Sequence, residues 1–338
     1  MGGQLQRHWT MLFGLEIARA DRAGGSCPAA NTSEDIAGCI FFLGSDEAAY
    51  LTGPSTSTAA PPSVAIGAPC IVRGPPGNNQ PTREVHINLG LTGRSVLVTG
   101  GSAGIGRAIA YAYAAEGASV TLSYHTNEDA AAAIANEIER RGGTAAAVPM
   151  NLADRASIEQ AVEEAGHRNG GLDVLIANAV RWPTDAAGPL AEADPEVWQA
   201  ALRANLEGAA ATVRAAWPLL HASDQGRIVL ISTGVTRHGL PGATAYATAK
   251  AGLEGLVAAL KWEGGEAGIL CNLVAPGFTV TDANLARFPD EARERVRART
   301  PSGRLSTPDD VAPAVLFLGS PANTNITGAY LPVAGGTD

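Results

Sequence analysis

The chain has 338 residues, 46% of them hydrophobic and 17% charged, with 24 basic side chains against 33 acidic ones and a formal net charge of −9. That length fits one large domain or two small ones, and the acidic balance argues against nucleic acid or an anionic membrane as a main partner. No run of about 20 consecutive apolar residues occurs, so no membrane span is expected.

The first 90 residues read differently from the rest. The apolar patch 11–15 is too short for a signal-peptide core, and a cytoplasmic location is expected. Cys27, Cys39, Cys70 and Cys271 form no CxxC and no Cys/His cluster of metal-ligand spacing. They are read as free thiols in a reducing compartment, and no metal site is expected. Residues 33–53 align without gaps on residues 308–328. Asp35, Phe42, Leu43, Gly44, Ser45 and Gly53 match Asp310, Phe317, Leu318, Gly319, Ser320 and Gly328. One such fragment cannot bury its own faces. It reads either as a fusion scar or as a helix over 35–43 that packs on the main domain or on a partner chain. Residues 54–85, rich in Pro, Ser, Thr, Ala, Gly and Asn, read as a linker or irregular tail. The chain therefore divides into an N-terminal extension, 1–90, and a domain, 91–338.

From residue 91 onward strands and helices alternate. Strands are predicted over 95–99, 118–124, 145–150, 172–177, 227–232, 269–275 and 328–333. Helices are predicted over 105–116, 128–141, 156–168, 195–220, 243–263 and 308–319. This alternation implies parallel strands joined by right-handed crossovers. The apolar runs Val174-Leu-Ile and Ile228-Val-Leu-Ile fit a sheet covered on both faces. The expected class is α/β, a doubly wound parallel sheet of Rossmann type.

Two features carry chemistry. Gly100-x3-Gly104-x-Gly106 stands between the first strand and the first helix. Glycines there permit a tight turn and close backbone approach to a pyrophosphate, and the helix N-terminus offers free N–H groups to it. The second feature is Tyr246-x3-Lys250. Only two lysines occur in the chain, so a compact ammonium here has a particular task. On a helix, residues i and i+4 share a face. A carbonyl that receives hydride develops negative charge on oxygen, and needs a proton donor beside it. Tyrosine is a poor acid near neutrality, and an adjacent ammonium is expected to lower its pKa.

The run Thr99-Gly-Gly-Ser-Ala-Gly-Ile-Gly106, with Ala177-Asn-Ala179, Asn205, Tyr246-x3-Lys250 and Pro276-Gly-Phe-Thr-Val-Thr281, resembles the short-chain dehydrogenase/reductase family in order and spacing. The resemblance covers residues 91–338. It implies an NAD(P)-dependent oxidoreductase on one Rossmann-type domain, assembled as a homotetramer or dimer. By the same resemblance Tyr246 is the acid, Lys250 also binds the nicotinamide ribose, and Asn205 supports a water chain to Lys250. The family's substrate-orienting serine falls at Thr233. Either Thr233 takes that role, or Ser232 substitutes through a shifted loop. The cofactor-binding set is Gly100, Ser102, Gly104, Ile105, Gly106, Tyr124, His125, Asn151, Leu152, Asn178, Ala179, Tyr246, Lys250, Pro276, Gly277, Thr279 and Thr281.

Cofactor choice turns on the end of the second strand, Tyr124-His125-Thr126-Asn127, which has no acid before Glu128. An acid there would bind the ribose 2′-hydroxyl, so its absence favours NADPH over NADH. Residues Arg181, Trp182, 235–240 and Phe278 are candidate pocket walls, and 282–300 reads as a mobile amphipathic lid. The expected substrate is a small-molecule ketone, cyclic or of polyketide type, because Thr233 and the ending from Arg304 look similar to ketoreductases that tailor aromatic polyketides. Two alternatives stay open. One is a 3-oxoacyl-thioester reductase acting on an acyl carrier protein. The other is a non-catalytic cofactor-binding module in which residues 1–90 mediate assembly.

Overall fold

The computed structural model describes residues 88–182 and 188–337, and the backbone of two short strands, Cys70–Ile71 and Glu84–Val85, which pair antiparallel. The rest of the 1–90 extension, including the 33–53 repeat, lies outside the described residues.

Seven strands form one parallel sheet. In chain order they are β1 (Ser95–Val98), β2 (Ser119–Tyr124), β3 (Thr144–Pro149), β4 (Val174–Ala177), β5 (Arg227–Ile231), β6 (Leu270–Pro276) and β7 (Tyr330–Val333), arranged β3-β2-β1-β4-β5-β6-β7. β1 runs beside β2 with Val96 opposite Val120, and beside β4 with Val96 opposite Val174. The expected doubly wound class is what the chain forms. Every residue of β1, β4 and β5 is buried, as a sheet covered on both faces requires. Each large aliphatic side chain so enclosed contributes about 1.5–3 kcal/mol over its exposed state.

Helices α1 (Gly104–Ala115), α2 (Glu128–Arg140) and α10 (Pro308–Leu318) cover one face, and α3 (Arg155–Asn169), α5 (Gly208–Ala222) and α7 (Thr244–Glu266) cover the other. α1 and α10 meet closely: the Tyr113 hydroxyl donates to the Val315 carbonyl at 3.1 Å. A Cβ at Gly319 would stand 2.0 Å from that hydroxyl, so the end of α10 must be glycine.

One long helix was expected over 195–220; three pieces occur instead. They are α4 (Pro195–Leu202), a π-helical turn (Arg203–Glu207) and α5. The cause is local. The Asn205 side-chain amide donates to the Ala201 carbonyl at 3.0 Å, in competition with the backbone N–H that a regular helix would aim there. After β5 the chain forms a short helix, α6 (Val235–His238). The expected lid is two helices, α8 (Asp282–Arg287) and α9 (Asp290–Arg299), broken at Phe288-Pro289; neither holds a buried residue.

Among the described residues no helix is long and apolar enough to cross a membrane. Among them, too, no three His, Cys, Asp or Glu side chains are grouped to hold a metal ion.

Candidate active site

Strand order reverses between β1 and β4, and a crevice opens at such a switch point beyond the carboxyl ends of the strands. Here it is a cleft of ≈ 1810 Å³. Ordinary small-molecule sites occupy roughly 300–1,000 Å³, so this one has room for a dinucleotide and a second molecule. Its wall includes each expected cofactor residue, from Gly100 to Thr281, together with Thr233, Tyr246 and Lys250. Asn205 is the exception. It is 1% exposed and lies behind the wall.

The ends of β1 and β4 are latched together. The Thr99 hydroxyl accepts from the backbone N–H of Asn178 at 3.0 Å and of Ala179 at 2.9 Å, and the Asn178 amide donates to the Thr99 and Gly100 carbonyls at 2.9 and 3.1 Å. This brings Ala179 against the glycine turn. A Cβ on Gly100 would lie 2.8 Å from the Ala179 Cα, and one on Gly106 would lie 2.2 Å from the Gly100 carbonyl oxygen. Gly100 also adopts φ 65°, in the left-handed region. Ser123, which the sequence did not single out, accepts from the Gly100 N–H at 3.1 Å.

The start of α1 fits a bound pyrophosphate. Helices α2, α3 and α4 are capped by the side chains of Asn127, Asp154 and Asp194. α1 has Ala103 at that place, no side-chain cap and no acid in its first turn. Its leading N–H groups and positive dipole end therefore remain available to an anion in the cleft. Gly277, Thr279 and Thr281 bring the chain back across this cradle; the Thr281 methyl lies 3.2 Å from where a Gly104 Cβ would be.

Tyr246 and Lys250 stand one turn apart near the start of α7. Lys250 is 3% exposed, and its ammonium donates to the Ile231 carbonyl at 2.8 Å. Burial lowers its pKa to about 8. Burial also pushes the Tyr246 phenol up to about 12, while hydrogen bonding with Thr233 and the charge of Arg287 pull it down. So in the protein alone the groups that pull the phenol down are Thr233 and Arg287. Ser232 is committed elsewhere: its hydroxyl donates to the Lys250 carbonyl at 3.2 Å. Thr233 is thus the hydroxyl left facing Tyr246.

Asn205 works through its neighbours. Its oxygen accepts from the Arg181 N–H at 2.8 Å, and its amide donates to the Arg181 carbonyl at 2.7 Å. That fixes the next residue, Trp182, whose ring centre lies 4.5 Å from that of Tyr246. The guanidinium carbon of Arg287, in α8, lies 4.7 Å from the indole centre. Nothing in the sequence links these three residues; only their separate membership of predicted pocket segments was visible.

The family model described as enoyl-(acyl carrier protein) reductase matches residues 100–338. The chain is 37% identical over 248 residues to an L-rhamnose 1-dehydrogenase (NAD(P)(+)) of Sphingomonas sp. (strain SKA58), covering 73% of this chain and 96% of that protein. It is 34% identical over 243 residues to the 3-oxoacyl-(acyl-carrier-protein) reductase of Staphylococcus aureus, covering 72% and 97%. A short-chain dehydrogenase of Burkholderia cenocepacia crystallised with NADP superposes with a TM-score of 0.68 at 35% identity, covering 73% and 98%. With the glycine cradle, the Tyr246-x3-Lys250 helix and the seven-stranded sheet, these matches show that the chain belongs to the short-chain dehydrogenase/reductase family, as an NAD(P)-dependent oxidoreductase acting on CH–OH or C=O groups.

Proposed function

We propose that the chain is an NADPH-dependent ketoreductase acting on a small-molecule ketone, of cyclic or polyketide type. The observation that carries this reading is Tyr246 beside Thr233, one helical turn from the buried Lys250, in a cleft that the glycine turn also lines. The bound nicotinamide supplies hydride. Tyr246 gives its proton to the oxygen on which charge develops, and the Thr233 hydroxyl hydrogen-bonds that same oxygen. Lys250 opposes the negative charge left on the phenol. Of the ammonium's three donors one is held by Ile231, which leaves two for the phenolate and the ribose. Asn205 has both amide hydrogens committed, to Arg181 and Ala201, so any contribution to a water chain uses its oxygen.

The preference for NADPH over NADH is supported by the residues at the end of β2. Ser123, Tyr124, His125, Thr126 and Asn127 line the cleft there without a carboxylate. Glu128 interacts with the Tyr124 hydroxyl instead. A homo-oligomer, dimer or tetramer, is supported by Trp262, 73% exposed on the outer face of α7.

The second reading, a reductase of 3-oxoacyl thioesters on an acyl carrier protein, is favoured by the Staphylococcus aureus relative, and the family description shares with it only the acyl carrier. The test is steady-state kcat/KM for a panel of cyclic and aromatic ketones and for an acetoacetyl-carrier thioester, each with NADPH and NADH. Ketones turned over best with NADPH sustain the first reading. A thioester preference transfers the assignment to the second, and no turnover of either defeats both.

A further inference from the structure

The cleft that Tyr246 and Thr233 line is cationic. Among the described residues four arginines line it, Arg181, Arg287, Arg295 and Arg299, against the single carboxylate Asp282. This occurs in a chain of net charge −9. Helix α9 sorts its own arginines. Arg293 and Arg297 pair with Asp290 and Glu294. Arg295 and Arg299, on the cleft side, have no carboxylate partner among the described residues, and neither do Arg181 and Arg287. Guanidinium groups that line one cleft with no carboxylate partner among the described residues repel one another, and a bound anion relieves that repulsion.

Arg287 is the one nearest the candidate chemistry. Its guanidinium carbon lies 4.7 Å from the centre of the Trp182 ring, and that ring lies 4.5 Å from the Tyr246 ring. The N–H fork of a guanidinium matches a carboxylate or phosphate bidentately. Its charge is felt at the phenol itself.

Resting on the reductase reading above, we infer that the substrate is an oxyanion-bearing ketone, its carboxylate or phosphate seated on Arg287 while its carbonyl meets Tyr246 and Thr233. Arg181, Arg295 and Arg299 supply the field that draws it in.

The test uses a matched set of ketones: 4-acetylbenzoate, 4-acetylphenyl phosphate and the neutral methyl 4-acetylbenzoate. Wild type should show kcat/KM for at least one anion exceeding that of the ester by about tenfold or more, the value of one charge-assisted hydrogen-bonded pair. Preference for either anion sustains the inference, and the better of the two names the group. Arg287→Gln should bring the ratio near unity, and Arg287→Glu should invert it. Added salt should lower the ratio in wild type, because part of the attraction is long-range. Calorimetric titration of the same three ketones into Tyr246→Phe protein with NADP+ reads binding without turnover. Tighter binding of an anion with no reduction by wild type sinks the reductase reading and leaves this one standing. Equal or better binding of the ester overturns the inference, and so does failure of all three to bind. A loss of NADPH affinity in Arg287→Gln with the ketone ratio unchanged also overturns it, since the arginine would then serve the cofactor.

Discussion

Lys250 should leave a signature on stability that no surface lysine would. Its pKa of about 8 in the folded protein stands against an ordinary 10.5. A base with a depressed folded pKa is one whose proton the unfolded chain holds more tightly. Below about pH 8 both states are protonated and the whole penalty of the buried charge is present, about 3 kcal/mol at 1.36 kcal/mol per pKa unit. Between about pH 8 and 10.5 the folded protein has shed the proton while the unfolded chain keeps it, so stability rises with pH. From about pH 7.5 to 9.5 the gain is roughly 2 kcal/mol. The perturbation is Lys250→Met, which fills similar volume without charge. It leaves the Ile231 carbonyl without its donor, a pH-independent cost of about 1–3 kcal/mol. Urea unfolding of cofactor-free wild type and variant at both pH values is the assay. Contributions from other groups, such as the buried Cys271 thiol raised to about 12, are common to both proteins and cancel in the difference. The wild-type curve should climb by roughly 2 kcal/mol relative to the variant. Parallel curves, within about 0.5 kcal/mol of each other, would show that the ammonium is not desolvated and would remove the physical basis for its role.

The same lysine sets an expected alkaline limit on catalysis. If the charged ammonium is needed, kcat/KM for ketone reduction falls as pH rises through about 8 in wild type; a limb only near 12 would assign it to Tyr246 instead. Thr233→Val should lower kcat by about 10²-fold, as for loss of one oxyanion donor, while Ser232→Ala, whose hydroxyl faces the Lys250 carbonyl, should alter stability more than kcat. The reverse ranking would show that Ser232 takes the orienting role. Gly106→Ala should abolish NADPH binding measured by fluorescence, because the added methyl would stand 2.2 Å from the Gly100 carbonyl oxygen; unchanged affinity would refute the cradle's geometry.

What could be read from the sequence was whatever repeats or clusters along the chain. The strands were legible because β1, β4 and β5 are continuous apolar runs, and burial on both faces demands such runs. The cradle was legible because a turn that brings Gly106 against Gly100 tolerates no side chain. The π-helical turn at Arg203–Glu207 was not, since one amide competing for one carbonyl leaves no periodic trace. The division of labour between Ser232 and Thr233 stayed open for a similar reason. Adjacent hydroxyls look alike in a sequence, and only the packing of α7 against β5 directs one to the Lys250 backbone. The Arg287–Trp182–Tyr246 contacts join three distant segments, which no local pattern encodes. Where the ammonium's hydrogens go was not legible either, because one helical turn brings two side chains near each other without deciding it.

The most direct test of the central claim is single-turnover oxidation of bound NADPH by a reducible ketone, in wild type and in Tyr246→Phe. The account predicts that the variant retains NADPH affinity within about threefold while hydride transfer slows by about 10²–10⁴-fold, the range for loss of a positioned general acid. Hydride transfer at the wild-type rate in the phenylalanine variant would contradict it.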